Sequence, residues 1–247
     1  MKASGVAVAL LMLLAGGAEA QDDGAQLERI EVTGSRISYR DLLDTPAISI
    51  TRKGDYLLQE LKLVNDSRDE AARRRELHET IGTLLAAADG RYELLHGDTY
   101  RVGLDRSNYR VEVEDDDERD DTSQVSIFLR LGLNADSVDA DAQIRALREF
   151  AASTRRAGRT EIDLVGETAL GMNRPERYRY ELLDAIARDA QKVTEAMRLD
   201  CRIALDGLNS RLEWQRVSAA ELMLYIPYTM TIDDCASRPG ADAPPRG

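Results

Sequence analysis

Apolar residues in this chain are spaced in two ways, and the spacing switches back and forth along its length. Val125, Ile127, Leu129, Leu131 and Leu133 alternate with Gln124, Ser126, Phe128 and Arg130, the period of a strand with one face on a core and the other largely polar. Leu57, Leu61 and Leu63 share one side of an earlier stretch, 57–64. Leu222, Leu224, Ile226, Tyr228, Met230 and Ile232 share one side of a longer one, 221–232. Between these runs the period lengthens to about 3.6 residues, that of a helix. Leu77, Ile81, Leu84, Leu85 and Ala88 form one stripe, and Ile144, Leu147, Phe150 and Ala151 a second. Leu182, Leu183, Ile186, Ala190, Val193 and Met197 form a third. A one-faced strand and a one-striped helix must each bury the apolar side against another element. The predicted fold class is therefore α+β: an antiparallel or mixed β-sheet with about three amphipathic helices packed on one face. Strand and helix do not alternate strictly, which argues against a doubly wound parallel sheet.

Local signals place the boundaries. Further strands are expected at 29–37, 47–51 (entered through Pro46), 161–165, 202–205 and 211–217, the last carrying the only tryptophan, Trp214, as a core aromatic. Residues 91–111 read as strand-rich and polar. Ser67 and Glu70 have capping-box spacing at the start of the first helix, and Gly90 ends it. The second helix is expected over about 138–157, stopped by Gly158. Pro175 opens the third at a position where a missing N–H costs little. Pro227, inside the last strand, predicts an edge or a bulge. An edge there would leave Met223 and Tyr225, on the face opposite Tyr228, for a subunit contact through strand pairing.

The first 20 residues have the pattern of a cleavable secretory signal. Lys2 supplies the positive side chain, Val6 to Leu14 is an unbroken apolar run of nine residues, and Ala18-Glu19-Ala20 puts small residues where a signal peptidase reads. The run is shorter than the roughly 20 apolar residues a spanning helix needs. The predicted cut is Ala20/Gln21, and no later stretch is long and apolar enough for a membrane helix. Removal of residues 1–20 leaves about 227, read as a polar leader (21–27), a single α+β domain (28–235) and a loose Pro/Gly-rich tail (236–247). Cys201 and Cys235 are the only cysteines. In an oxidising compartment an even pair reads as one disulfide, the alternative being two free thiols. The bridge would close a loop worth roughly 3 kcal/mol in the chain-entropy model. The net charge of −12 argues against nucleic acid and against anionic lipid as partners.

The stretches Ile30-Glu31-Val32-Thr33-Gly34 and Pro46-Ala47-Ile48-Ser49-Ile50 resemble the opening of SIMPL-domain proteins. The likeness continues through the strand and charged helix of Leu57 to Ala88. It takes in Ala157-Gly158-Arg159-Thr160-Glu161-Ile162, the helix Glu181 to Met197 and the closing strand. The Gly-Tyr-containing strand of that family has only Asn108-Tyr109 as its trace here, and the acidic run Glu112 to Asp121 stands where the family has a shorter connection. The resemblance implies a periplasmic location, self-association, and a non-enzymatic role in envelope integrity or stress tolerance. A second likeness involves fewer residues. Leu27 to Ile37 (LERIEVTGSRI), continued by Pro46 to Ile50, resembles the start of a TonB-dependent receptor plug, which implies an accessory or plug-like binding module linked to outer-membrane uptake. About 200 residues with three amphipathic helices cannot supply the receptor's closed barrel.

No motif points to catalysis. His78 and His96 lack the spacing and company of a zinc set. Glu112 to Asp121 holds eight acidic residues in ten positions, a solvated loop or hairpin end by default. Read as a calcium loop from Asp115 (through Asp116, Asp117, Glu118, Asp120 and Asp121), it has Asp120 where glycine is needed and Ser126 where glutamate is needed. Gly166 to Gly171 (GETALG) lacks the lysine of a phosphate loop. There is no nucleophile elbow, and neither cysteine stands beside a histidine. Arg73, Arg74 and Arg75 read as a solvated helix face, and Arg155 and Arg156 as complements to a helix C-terminus. The expectation is a non-enzyme with no cofactor and no metal. Its partner would be a second copy or an envelope protein; the disulfide Cys201–Cys235 is its one special pairing. Whether the acidic loop holds cations stays open.

Overall fold

The computed structural model describes residues 29–33, 47–98, 100–116, 119–134 and 139–237. The signal segment, the polar leader, Pro46 and residues 238–247 of the expected tail lie outside them. The order is β1 (Arg29–Val32), β2 (Ile50–Lys53), β3 (Tyr56–Asn65), α1 (Glu70–Ala88), β4 (Glu93–His96), β5 (Val102–Gly103), β6 (Glu114–Asp115), β7 (Ser123–Gly132), α2 (Ala140–Ser153), β8 (Thr160–Asn173), a 3₁₀ turn (Pro175–Tyr178), α3 (Arg179–Met197), β9 (Leu199–Asp206), β10 (Glu213–Arg216), β11 (Glu221–Tyr225) and β12 (Thr229–Ser237). The protein is α+β with three α-helices among the described residues, and every described strand pair is antiparallel.

The main sheet has the order β1-β8-β3-β7-β4-β5, with β6 paired to β7. Its centre is β3, flanked by β7 and β8 over nearly its full length. Strand alternation sends Leu57, Leu61 and Leu63 to one side, where they join Ile127, Leu129, Ile162, Leu170 and Met172. The helices complete this core with Leu77, Ile81, Leu84 and Ala88 from α1, Leu147 and Ala151 from α2, and Leu182 and Ile186 from α3. A small sheet, β10-β11-β2, adds Leu222, Leu224 and half-buried Trp214 to the same core. A separate ribbon of β9 and β12 runs beside α3.

Several boundaries differ from the sequence expectation, each for a physical reason. The cap of α1 is Asp69, whose carboxylate accepts from the Ala72 N–H at 2.9 Å. Ser67 instead donates its hydroxyl to Glu76. Arg73 is not on a solvated face. It is buried, with Nε on Ser123 Oγ and Nη1 on the Ser67 carbonyl. The second helix stops at Ser153, where the Thr154 N–H and hydroxyl both return to the Phe150 carbonyl. Arg156 then reaches back to the Ala152 carbonyl, the helix-end role read for it. Gly158 belongs to the following turn, at φ +53°, packed so closely on Glu76 that a Cβ would lie 2.0 Å from its carboxyl carbon. The long terminal strand is two strands. The chain breaks at 226–228 around Pro227, and β11 and β12 enter different sheets. Strand β11 is no edge, because β10 and β2 pair with its two sides. The subunit contact through Met223 and Tyr225 is thereby ruled out. Strand β12 runs to Ser237 and so takes in the first two residues of the expected tail, 236 and 237.

Candidate functional site

The residues singled out in the sequence are dispersed. His78 Nε2 lies 2.9 Å from the Val111 carbonyl, and His96 Nδ1 lies 3.0 Å from that of Ser126. Each is held by backbone, and among the described residues no group of three or more His, Cys, Asp or Glu could hold a metal. The acidic run forms a hairpin end. Strand β6 pairs with Ser123 and Gln124 of β7, Asp115 accepts from Ser123 Oγ, and Asp116 accepts from Arg119. Asp117 and Glu118 lie outside the described residues. Cys201 and Cys235 are joined across the β9–β12 ribbon. That bridge is compatible with a location outside the cytoplasm, and no described helix is long and apolar enough to cross a membrane.

Two constellations emerge that the sequence patterns did not single out. The first lies on the sheet face away from the helices. Tyr56, Leu58, Leu95, Phe128 and Ala169 form a second buried cluster there. The Arg101 guanidinium sits 3.9 Å from the centre of the Phe128 ring, and that of Arg130 sits 4.2 Å from the Tyr56 ring. Glu31 of β1 ties them together, accepting from the Tyr56 hydroxyl at 3.0 Å and pairing with Arg101. Arg130 pairs in turn with Glu93 at 3.2 Å. Burial raises the Tyr56 phenol pKa, and the charge and hydrogen bond of Glu31 raise it further. The Nε atoms of Arg101 and Arg130 are buried without hydrogen-bond partners, so the aromatic rings are their main company. Tyr56 can lie flat only because residue 171 is glycine: a Cβ there would meet its ring at 2.2 Å. This network leads to the sheet's outermost strand, β5, which pairs only with β4 among the described strands. Tyr100 is 84% exposed and Val102 60% exposed at this margin.

The second constellation is a polar cavity of about 620 Å³ at an irregularity in β8. Between Val165 and Ala169 the strand places residues 166–168 opposite the single Gln59 of β3. Gly166 makes this possible at φ +61°. Gln59 is fully buried and faces the helix side, where its amide fills the gap. Its Nε2 donates to the Val165 carbonyl at 2.8 Å, and its Oε1 accepts from Thr168 Oγ1 and from Arg148 Nη1, both at 2.8 Å. Arg148, from α2, also reaches the Gly166 carbonyl. Behind the bulge Arg216 is 5% exposed and donates to five carbonyls, of Val32, Thr33, Thr168, Ser218 and Ala219. Burial lowers its pKa, while the charges of Glu167 and Asp141 oppose the shift. Asp141, Ile144, Arg148, Glu167, Thr168 and Arg216 all face the cavity.

A signal for this site was present. The inward side of β3 runs Leu57, Gln59, Leu61, Leu63, and one glutamine in an apolar stripe is a buried polar group that must find partners. A second cavity, of about 640 Å³, is mostly apolar and lies between the C-terminal half of α1 and the turn at Asp105 to Tyr109. No family model matches this chain, and no curated protein or solved structure matches it either.

Proposed function

We propose that this chain is an exported, non-enzymatic envelope protein that associates with copies of itself through the β5 margin of its main sheet. The carrying observation is the exposed side chain of Val102 on an outermost strand whose other neighbour is absent among the described residues, with the exposed ring of Tyr100 two residues before that strand. An edge strand that exposes a β-branched residue, with an exposed aromatic beside its start, is a template for pairing with another strand. The signal-like N-terminus, the disulfide and the SIMPL-like order of motifs support export to the periplasm and a role in envelope integrity or stress tolerance. The plug-like reading of residues 27–37 is the weaker alternative. Residues 29–32 form β1, hydrogen-bonded to β8, with Ile30 buried in the core. They are part of the domain's own framework, so a receptor or TonB would have to compete for them.

Protein recovered from the periplasm of a Gram-negative host, sized by chromatography with light scattering, tests the reading. A mass above one chain at micromolar concentration, returned to one chain by Val102→Lys, is expected. A wild-type protein that stays monomeric overturns it, as does an assembly indifferent to the substitution.

A further inference from the structure

The geometry points to a binding site for a small zwitterion, of the aliphatic α-amino acid type, in the cavity at the β8 bulge. Two guanidiniums and two carboxylates line this one space, those of Arg148, Arg216, Asp141 and Glu167. Among the described residues none of the four makes an ion pair with any other: every described salt bridge involves different residues. Opposite charges that share a cavity without meeting leave room for a ligand carrying both signs.

The donors are available. Among the described residues Arg148 bonds only through Nη1, to Gln59 and Gly166, and its Nε–H and Nη2–H edge has no described partner. That edge is the fork that takes a carboxylate through two parallel hydrogen bonds. Arg216 is fixed by its carbonyl partners and adds a second positive charge without moving. Gln59, Thr168 and the bulge hold Arg148 in place before any ligand arrives, which reduces the ordering cost of binding. The carboxylates of Asp141 and Glu167 disfavour a dianion and suit an ammonium group. Ile144 supplies an apolar wall, and about 620 Å³ lies within the range of small-molecule sites. The site is independent of the β5 margin and does not rest on self-association.

L-leucine is the probe, compared by calorimetry and ligand-observed NMR with 4-methylpentanoate, which lacks the ammonium, and 3-methylbutylamine, which lacks the carboxylate. Saturable binding of L-leucine in the millimolar range or tighter is expected, with at least a tenfold loss for each analogue. Arg148→Met should abolish binding, and the pair Asp141→Asn with Glu167→Gln should weaken it at least tenfold. Arg148 is half-buried and Asp141 and Glu167 are exposed, and an unchanged melting transition confirms that the fold survives. No saturable binding of L-leucine overturns the proposal. Equal affinity for 4-methylpentanoate overturns it in favour of a plain anion site, and unaltered binding by Arg148→Met places the ligand elsewhere.

Discussion

The two faces of the main sheet are buried by different means. On the helix side, Leu57, Leu61, Leu63, Ile127 and Leu129 meet aliphatic side chains of three helices. On the far side, Tyr56 and Phe128 lie beneath the guanidiniums of Arg130 and Arg101. The first face is sealed by rigid elements, the second by long side chains whose charged ends are paired with Glu93 and Glu31. A face covered by a rigid layer cannot close over a missing group, whereas one covered by flexible stems can. Area removed from water is thus an incomplete measure of what a residue contributes, because the response of the neighbours sets the rest.

The largest expected effect separates the faces directly. Leu61 and Leu58 occupy the same strand and are both buried, at 0% and 4% exposure. Leu61→Ala should destabilise by about 3–5 kcal/mol in urea unfolding, because α1 and α2 cannot collapse into the void. Leu58→Ala should cost about 2 kcal/mol, below that range, as the arginine stems settle inward. Equal losses would break the contrast. The next effect sharpens it from the other side. Arg101→Met keeps the stem and removes the charge, so Phe128 stays covered while its cation–π contact and the Glu31 pair are lost. A loss of about 1–2 kcal/mol is expected, and high salt should shrink the difference from wild type. A loss that salt leaves untouched would mean that the stem, not the charge, is what matters.

How much of this was legible depends on whether a residue's role follows from spacing. The first two helix stripes, the start of the third and the inward residues of β3 and β7 obey their periods and land in or against the core, while the third stripe fails at its end, where Met197 is exposed. Strand β8 extends to 14 residues where only a short strand was visible, because the bulge at 166–168 shifts the alternation between its halves. Pro227 looked like an irregularity within one strand, but it separates two strands of different sheets, a long-range choice that local period cannot register. Arg73 was unreadable for another reason: its burial depends on Ser123 from a distant strand. The cavity was the least legible part. Its arginines, Arg148 and Arg216, are single charged residues in amphipathic or polar stretches, and only the interruption at Gln59 marked the place.

The smallest effect concerns the border between the helix layer and the sheet, where one carboxylate joins four segments. Glu76 Oε2 accepts from the Arg159 N–H at 3.0 Å, from Asn65 Nδ2 at 2.8 Å and from Ser67 Oγ at 2.8 Å. These donors stabilise the ionised form and lower the pKa, the Arg159 N–H most of all. The folded-state pKa lies below the unfolded one, so the contribution is fully present above the ordinary glutamate range, about 4.3. It is lost as the pH falls through the folded value, since the unfolded chain then binds the proton first. Glu76→Gln should therefore flatten the acid limb of a stability-versus-pH curve and leave its shape above about pH 6 unchanged. The amide also places an N–H where three donors converge, so the variant should be less stable at neutral pH than wild type. An acid limb as steep as the wild type's would move the titrating group elsewhere. The border would then be held by packing, as the helix side of the sheet is, and not by charge, as the far side is.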